Sequence, residues 1–87
     1  HRLKGVGVDQ EGHIYASDSA FQNIQIFNQQ GQLLLYFGDG GSGEPGLFAM
    51  PASLHIDKNN RIFVADQYNR RIQMFELLVP EGVIDIE

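Results

Sequence analysis

Apolar residues in this chain come in short bursts, set apart by clusters of Gly, Asn, Asp and Gln. In the first half, GVGVD (5–9), HIYAS (13–17), NIQIF (23–27) and LLLYF (33–37) read as strands, and QEG, DSAFQ and NQQGQ read as the turns between them. Runs of β-branched and aromatic residues bounded by turn formers predict hairpins, so the four make an antiparallel meander. The second half follows the same plan with ASLHID (52–57), RIFVA (61–65) and RIQMFE (71–76), separated by KNN and DQYNR. Its fourth strand falls either at 77–79 or at 83–86. No segment repeats apolar residues at the 3.6-residue period of an amphipathic helix. The expected class is all-β.

The two halves are copies. Residues 8–27 align with 56–75 without a gap at an offset of 48, and Asp9, Ile14, Asp18, Ile24, Gln25 and Phe27 recur as Asp57, Ile62, Asp66, Ile72, Gln73 and Phe75. Those six identities in twenty compare with about one or two for unrelated stretches of ordinary composition. A fixed period of this length marks a solenoid, a propeller or a tandem array. LLLYF and RIFVA are apolar at successive positions, so each small sheet asks for burial on both faces. A β-propeller blade sandwiched between neighbours meets that demand. The expected units are a first blade over 1–40 and a second, with a closing segment, over 41–87. Two blades leave two apolar faces open, so the chain is expected to be a piece of something longer, or to complete a ring with copies of itself as a homotrimer.

Composition narrows the chemistry. The 87 residues carry a net charge of −5, and the only basic cluster is Arg61, Arg70 and Arg71, which lacks the density that displaces phosphate counterions. There is no cysteine, which excludes thiolate metal sites and haem attachment. No apolar run approaches membrane-spanning length. The sequence opens without Met or a signal peptide, as a processed or truncated chain would.

The stretch FGDGGSGEPGLFAMPASLHIDKNNRIFVADQYNRRIQMF, residues 37–75, resembles an NHL repeat. The resemblance runs through Phe48, Pro51, Asp57, Asn60, Ile62 to Asp66, and Asn69 to Phe75. Residues 5–37 resemble a more worn copy, in which Phe21-Gln22-Asn23 stands where the family has Asn-x-Arg. The resemblance implies a propeller of six blades, of which this chain supplies two. It is nearest to the terminal blades of exported bacterial members, which implies an exported or periplasmic setting and, for some, a multihaem cytochrome partner.

Each candidate residue has a functional and a structural reading. Tyr68, Asn69, Arg70 and Phe21 lie on the turns where loops of successive blades converge, and are the candidates for contact with a ligand or partner. Asp18, Asp66 and Arg71 are expected to be structural ties, the carboxylates accepting turn amides and the arginine joining strands or blades. The Gly-rich stretch 38–46 faintly resembles calcium-binding repeats, with Asp39 and Glu44 as oxygen donors, but a flexible crossing between blades explains it. It lacks the Lys-Ser/Thr of a phosphate loop. His55 is the candidate zinc ligand, because lyases of this family hold zinc near the channel, and His13 is a lesser one. Three or four converging ligands are needed, and no such set is spaced along the chain. Ser17, Ser19, Ser42 and Ser53 have no nucleophile context. No cofactor is expected, with Ca or Zn as the exceptions just named. The leading reading is a non-enzymatic scaffold for a protein or peptide. The alternatives are part of a metal-dependent lyase or hydrolase with its site in the channel and, less favoured on charge, an RNA binder.

Overall fold

The computed structural model describes residues 3–41, 47–49, 51–79 and 83–86. Two four-stranded antiparallel meanders account for most of them. The first consists of β1 (Leu3–Val8), β2 (Ile14–Asp18), β3 (Asn23–Phe27) and β4 (Leu33–Phe37), in sequential order. A two-residue parallel clip follows, formed by β5 (Asp39–Gly40) and β6 (Leu47–Phe48), and fastens the Gly-rich crossing. The second meander consists of β7 (Pro51–Ile56), β8 (Arg61–Asp66), β9 (Arg71–Val79) and β10 (Val83–Ile86). The open question of the fourth strand falls to 83–86, while 77–79 extend β9 and pair with it. Among the described residues there is no helix, and so none long and apolar enough to cross a membrane.

One turn design recurs three times. Asp9, Asn28 and Asp57 each end a strand and accept two backbone amides on one side-chain oxygen, two and four residues on: Glu11 and His13, Gln30 and Gln32, Asn59 and Arg61. Asx side chains favour this local bonding, which reverses the chain without help from elsewhere. The residue three positions after each takes the left-handed conformation: Gly12 (φ 89°), Gly31 (φ 82°) and Asn60 (φ 62°). Asn tolerates that conformation better than other side chains.

The blades meet face to face. Tyr15, Ile24 and Ile26 of the first blade are fully buried with Ile62, Val64 and Phe75 of the second and with Phe48 of the crossing. Leu35, Phe37, Leu54 and Ile56 flank them. Phe75 anchors the cluster, its ring 4.7 Å from Phe37 and 5.7 Å from Phe48, in the tilted geometry that aromatic pairs prefer. The inner strands approach closely because Gly5 has no side chain: a Cβ there would lie 2.5 Å from the carbonyl oxygen of Ala52. The Ser17 hydroxyl bridges this gap, accepting from Gly5 N (2.8 Å) and donating to Ala52 O (2.6 Å).

Burial across these sheets is one-sided. In β8, Ile62 and Val64 are buried while Phe63 and Ala65 are only partly covered. In β4, Leu35 and Phe37 reach the core while Leu33, Leu34 and Tyr36 stay exposed. Among the described residues, Val6, Val8, Leu34, Tyr36 and Ile72 are exposed on the far sides, while Ala16 is buried there.

Candidate functional site

Strand direction places the 18–23 turn, residues 38–41 and 47–49 of the crossing and the 66–71 turn at one end of the two blades. The Asx turns at residues 9, 28 and 57 lie at the other. Phe21, Tyr68, Asn69 and Arg70 are therefore gathered at one end, each on a turn held from beneath by a buried aspartate. Gln22 and Arg70 take the left-handed conformation at matching places in these turns (φ 57° and 54°).

Asp66 is the hub of the second turn. Its Oδ1 accepts from Ala49 N at 2.7 Å, and its Oδ2 accepts from Asn69 (2.7 Å), Arg71 Nε (3.0 Å) and Gln73 (3.1 Å). Arg71 and Gln73 also donate to Leu47 O, and Asn69 to Gly41 O, so the crossing is lashed to the blade. Burial pushes the Asp66 carboxyl upward. The donors from Ala49, Asn69, Arg71 and Gln73 outweigh it and hold the group below its ordinary value. Asp18 does similar work with fewer partners, accepting from the amides of Ala20 and Phe21 and from Gln25. Where the second repeat has Arg71, the first has Asn23, and Gln25 bridges it to Asp18.

These bonds leave the turn tips outside the hubs. Phe21 and Tyr68 are 67 % and 71 % exposed, and Arg70 is exposed beside Tyr68. Asn69 is partly buried and bonded on both sides.

The candidate metal residues are scattered. His55 is exposed on β7, with its ring 6.4 Å from that of Phe63, on the uncovered face of the second blade. Asp39 is exposed and accepts from Gly40 N, and Glu44 lies outside the described residues. Among the described residues, Asp9, Glu11 and His13 are the one group of three possible ligands whose donor atoms lie within 4.8 Å of one another. Their arrangement is that of the hairpin: Asp9 accepts from the amides of Glu11 and His13, from the His13 ring and from the Tyr15 hydroxyl. Asp57 repeats it with the Arg61 guanidinium in place of imidazole, which no metal site would allow. Burial raises the Asp9 carboxyl, but the Tyr15 and His13 bonds lower it further, below its ordinary value.

Of the serines, Ser17 is taken up by the contact between blades, Ser53 is exposed and Ser42 lies outside the described residues. Residue patterns did not reveal the tie at the opposite end. Asn60 accepts from Gln10 N (2.8 Å) and donates to Glu11 (2.7 Å), joining turns fifty residues apart. The one signal was Asn60 standing where the first repeat has Gly12.

A family described as a six-bladed β-propeller matches residues 5–84. The chain belongs to the NHL-repeat β-propeller family. Among curated proteins, "NHL repeat-containing protein 3" from Homo sapiens is 36 % identical over 72 residues, covering 79 % of this chain and 20 % of the relative. The protein of the same name from Mus musculus is 33 % identical over the same length and shares. The NHL-repeat chain thus spans about a fifth of the length of these mammalian relatives.

Proposed function

We propose that this NHL-repeat segment is part of a non-enzymatic interaction scaffold, whose protein or peptide partner is bound at the end carrying Phe21 and Tyr68. One observation carries the reading: two large aromatic side chains stand exposed on corresponding turns while the carboxylates beneath them are buried. An exposed, rigidly mounted aromatic is the usual anchor of a protein interface, since it buries much apolar area at low entropic cost. Arg70 adds a cation beside Tyr68, and Arg is likewise enriched at such contacts.

The carboxylates support the same reading. The Asp9, Asp57 and Asp66 carboxyls are all shifted down and committed to backbone amides, whereas a general acid needs one shifted up. Among the described residues nothing favours the metal-dependent enzyme reading. An exported bacterial setting and a multihaem cytochrome partner form no part of the proposal.

The test is a selection of displayed random peptides against the folded chain. The double variant Phe21→Ala, Tyr68→Ala should weaken the selected peptides by about tenfold or more, the loss of one hot-spot contact, with the urea midpoint unchanged. Peptides that bind both proteins equally would end the proposal.

A further inference from the structure

Charge in this molecule is sorted by end. Away from the aromatics, Asp9, Glu11, Asp57 and Glu76 outnumber Lys58, Arg61 and His13. At the aromatic end the described carboxylates are Asp18, Asp39 and Asp66, and two of these three are buried beneath the turns. Only Asp39 reaches the surface there. Lys4, on β1 where Leu3 pairs with Asp18, is exposed at the same end, and so is Arg70. A chain of net charge −5 thus turns exposed cations toward Phe21 and Tyr68.

Arg70 is the cation placed for use. The other described arginines are committed, Arg61 to Asp57 at 2.8 Å and Arg71 to Asp66 at 3.0 Å. Among the described residues Arg70 has no carboxylate at ion-pair distance. Its turn does not need the side chain, because the Arg70 amide closes the loop on Gln67 O. The residue also stands in the left-handed conformation, at φ 54°. In the turns of the opposite end that conformation falls to Gly12, Gly31 and Asn60, which adopt it at low cost. A long charged side chain standing where glycine would be easier points to a use outside the turn.

We infer that the partner bound at Tyr68 is an acidic peptide, which presents an Asp or Glu side chain to Arg70 next to an apolar residue on Tyr68. This names the chemistry of the partner and rests on the scaffold reading above. A guanidinium takes a carboxylate through two parallel N–H bonds, a geometry that lysine cannot offer. The charge pair orients the partner at the rim, while the aromatics supply the buried area. Nucleic acid also carries anions, but two exposed cations are few to displace the counterions of its backbone.

The test reads the composition of displayed peptides selected against the 87-residue chain. Those that need Phe21 and Tyr68 should be rich in Asp and Glu next to an apolar residue. A synthetic copy of one, with Gln in place of its acid, should bind about fivefold more weakly or worse. Arg70→Gly should weaken the acidic peptide by the same factor and leave the Gln form unchanged, without lowering the urea midpoint. Arg70→Gln, which keeps a long polar side chain, should bind as Arg70→Gly does. Peptides that need both aromatics yet carry no excess of acid, or that bind Arg70→Gly as tightly as the parent, would overturn the inference and leave the scaffold reading standing. A selection in which no peptide depends on the aromatics would end both. Binding of oligouridine that Arg70→Gly abolishes, with no acidic peptide recovered, would assign this end to RNA and overturn the inference.

Discussion

Asp66→Ala should cost the folded chain about 3 kcal/mol in urea unfolding, with no change in the exposed aromatics beside it. The carboxylate has no solvent exposure and accepts from four donors, so its removal strands the Ala49 amide and takes one bond each from Asn69, Gln73 and the Arg71 guanidinium, which keep their bonds to the crossing. Arg71 keeps a quarter of its side-chain exposure, which relieves part of its lost pairing and holds the expectation at the lower end of the range for a broken buried pair. The pH dependence has a definite sign. The folded Asp66 carboxyl lies below its ordinary value of 3.8, so its contribution is complete above about pH 4 and is lost as pH falls through the folded value. Asp9 shifts in the same direction and adds to the acid lability. Asp66→Ala should therefore lose less stability than the parent chain between pH 4 and pH 2. An equal loss in both would assign the acid sensitivity to other groups.

Phe48→Ala is expected to cost about 3–5 kcal/mol, the range for an aromatic removed from a packed core. Phe48 is fully buried, rests against Phe75 and belongs to the crossing rather than to either sheet. Its loss opens a cavity where the blades and the crossing meet, and the lashings through Leu47 and Ala49 prevent that segment from collapsing into the space. Amide exchange should rise at Ile24 and Ile62 together, since both sit in the cluster that Phe48 caps. A change confined to one blade would mean that the cluster does not couple them.

The strands were legible because their turns are. Gly12, Gly31 and Asn60, each three residues after an Asx, mark three of the hairpins, Asp18 and Asp66 open two more, and the forty-eight-residue repeat shows the blade plan twice. The fourth strand of the second blade was ambiguous for a physical reason: 77–79 and 83–86 pair with each other, and two arms of one hairpin have similar composition. The β5–β6 clip was hidden because two-residue parallel pairing follows from the path of the crossing and not from propensity. The polar hubs were half legible. Recurrence marked Asp18 and Asp66 as candidate ties, but the backbone of Leu47 and Ala49 completes the Asp66 shell, and backbone atoms leave no trace in residue identity. The Asn60 tie and the Ser17 bridge join turns and strands thirty-five to fifty residues apart, beyond any local pattern.

The Asx hairpins at Asp9, Asn28 and Asp57 have a consequence for how the molecule comes apart. Their bonds span four residues or fewer and need nothing from a neighbouring blade, whereas the Phe48 cluster exists only when both sheets and the crossing are in place. Contacts of short sequence separation form early and open late, because closing them costs little chain entropy. Undocking should thus precede the unravelling of either sheet, and the amides of His13, Gln32 and Arg61 should stay protected after that of Gln10, which Asn60 holds from the other blade, has begun to exchange. Simultaneous loss at all of them would show instead that the two blades melt as one cooperative body.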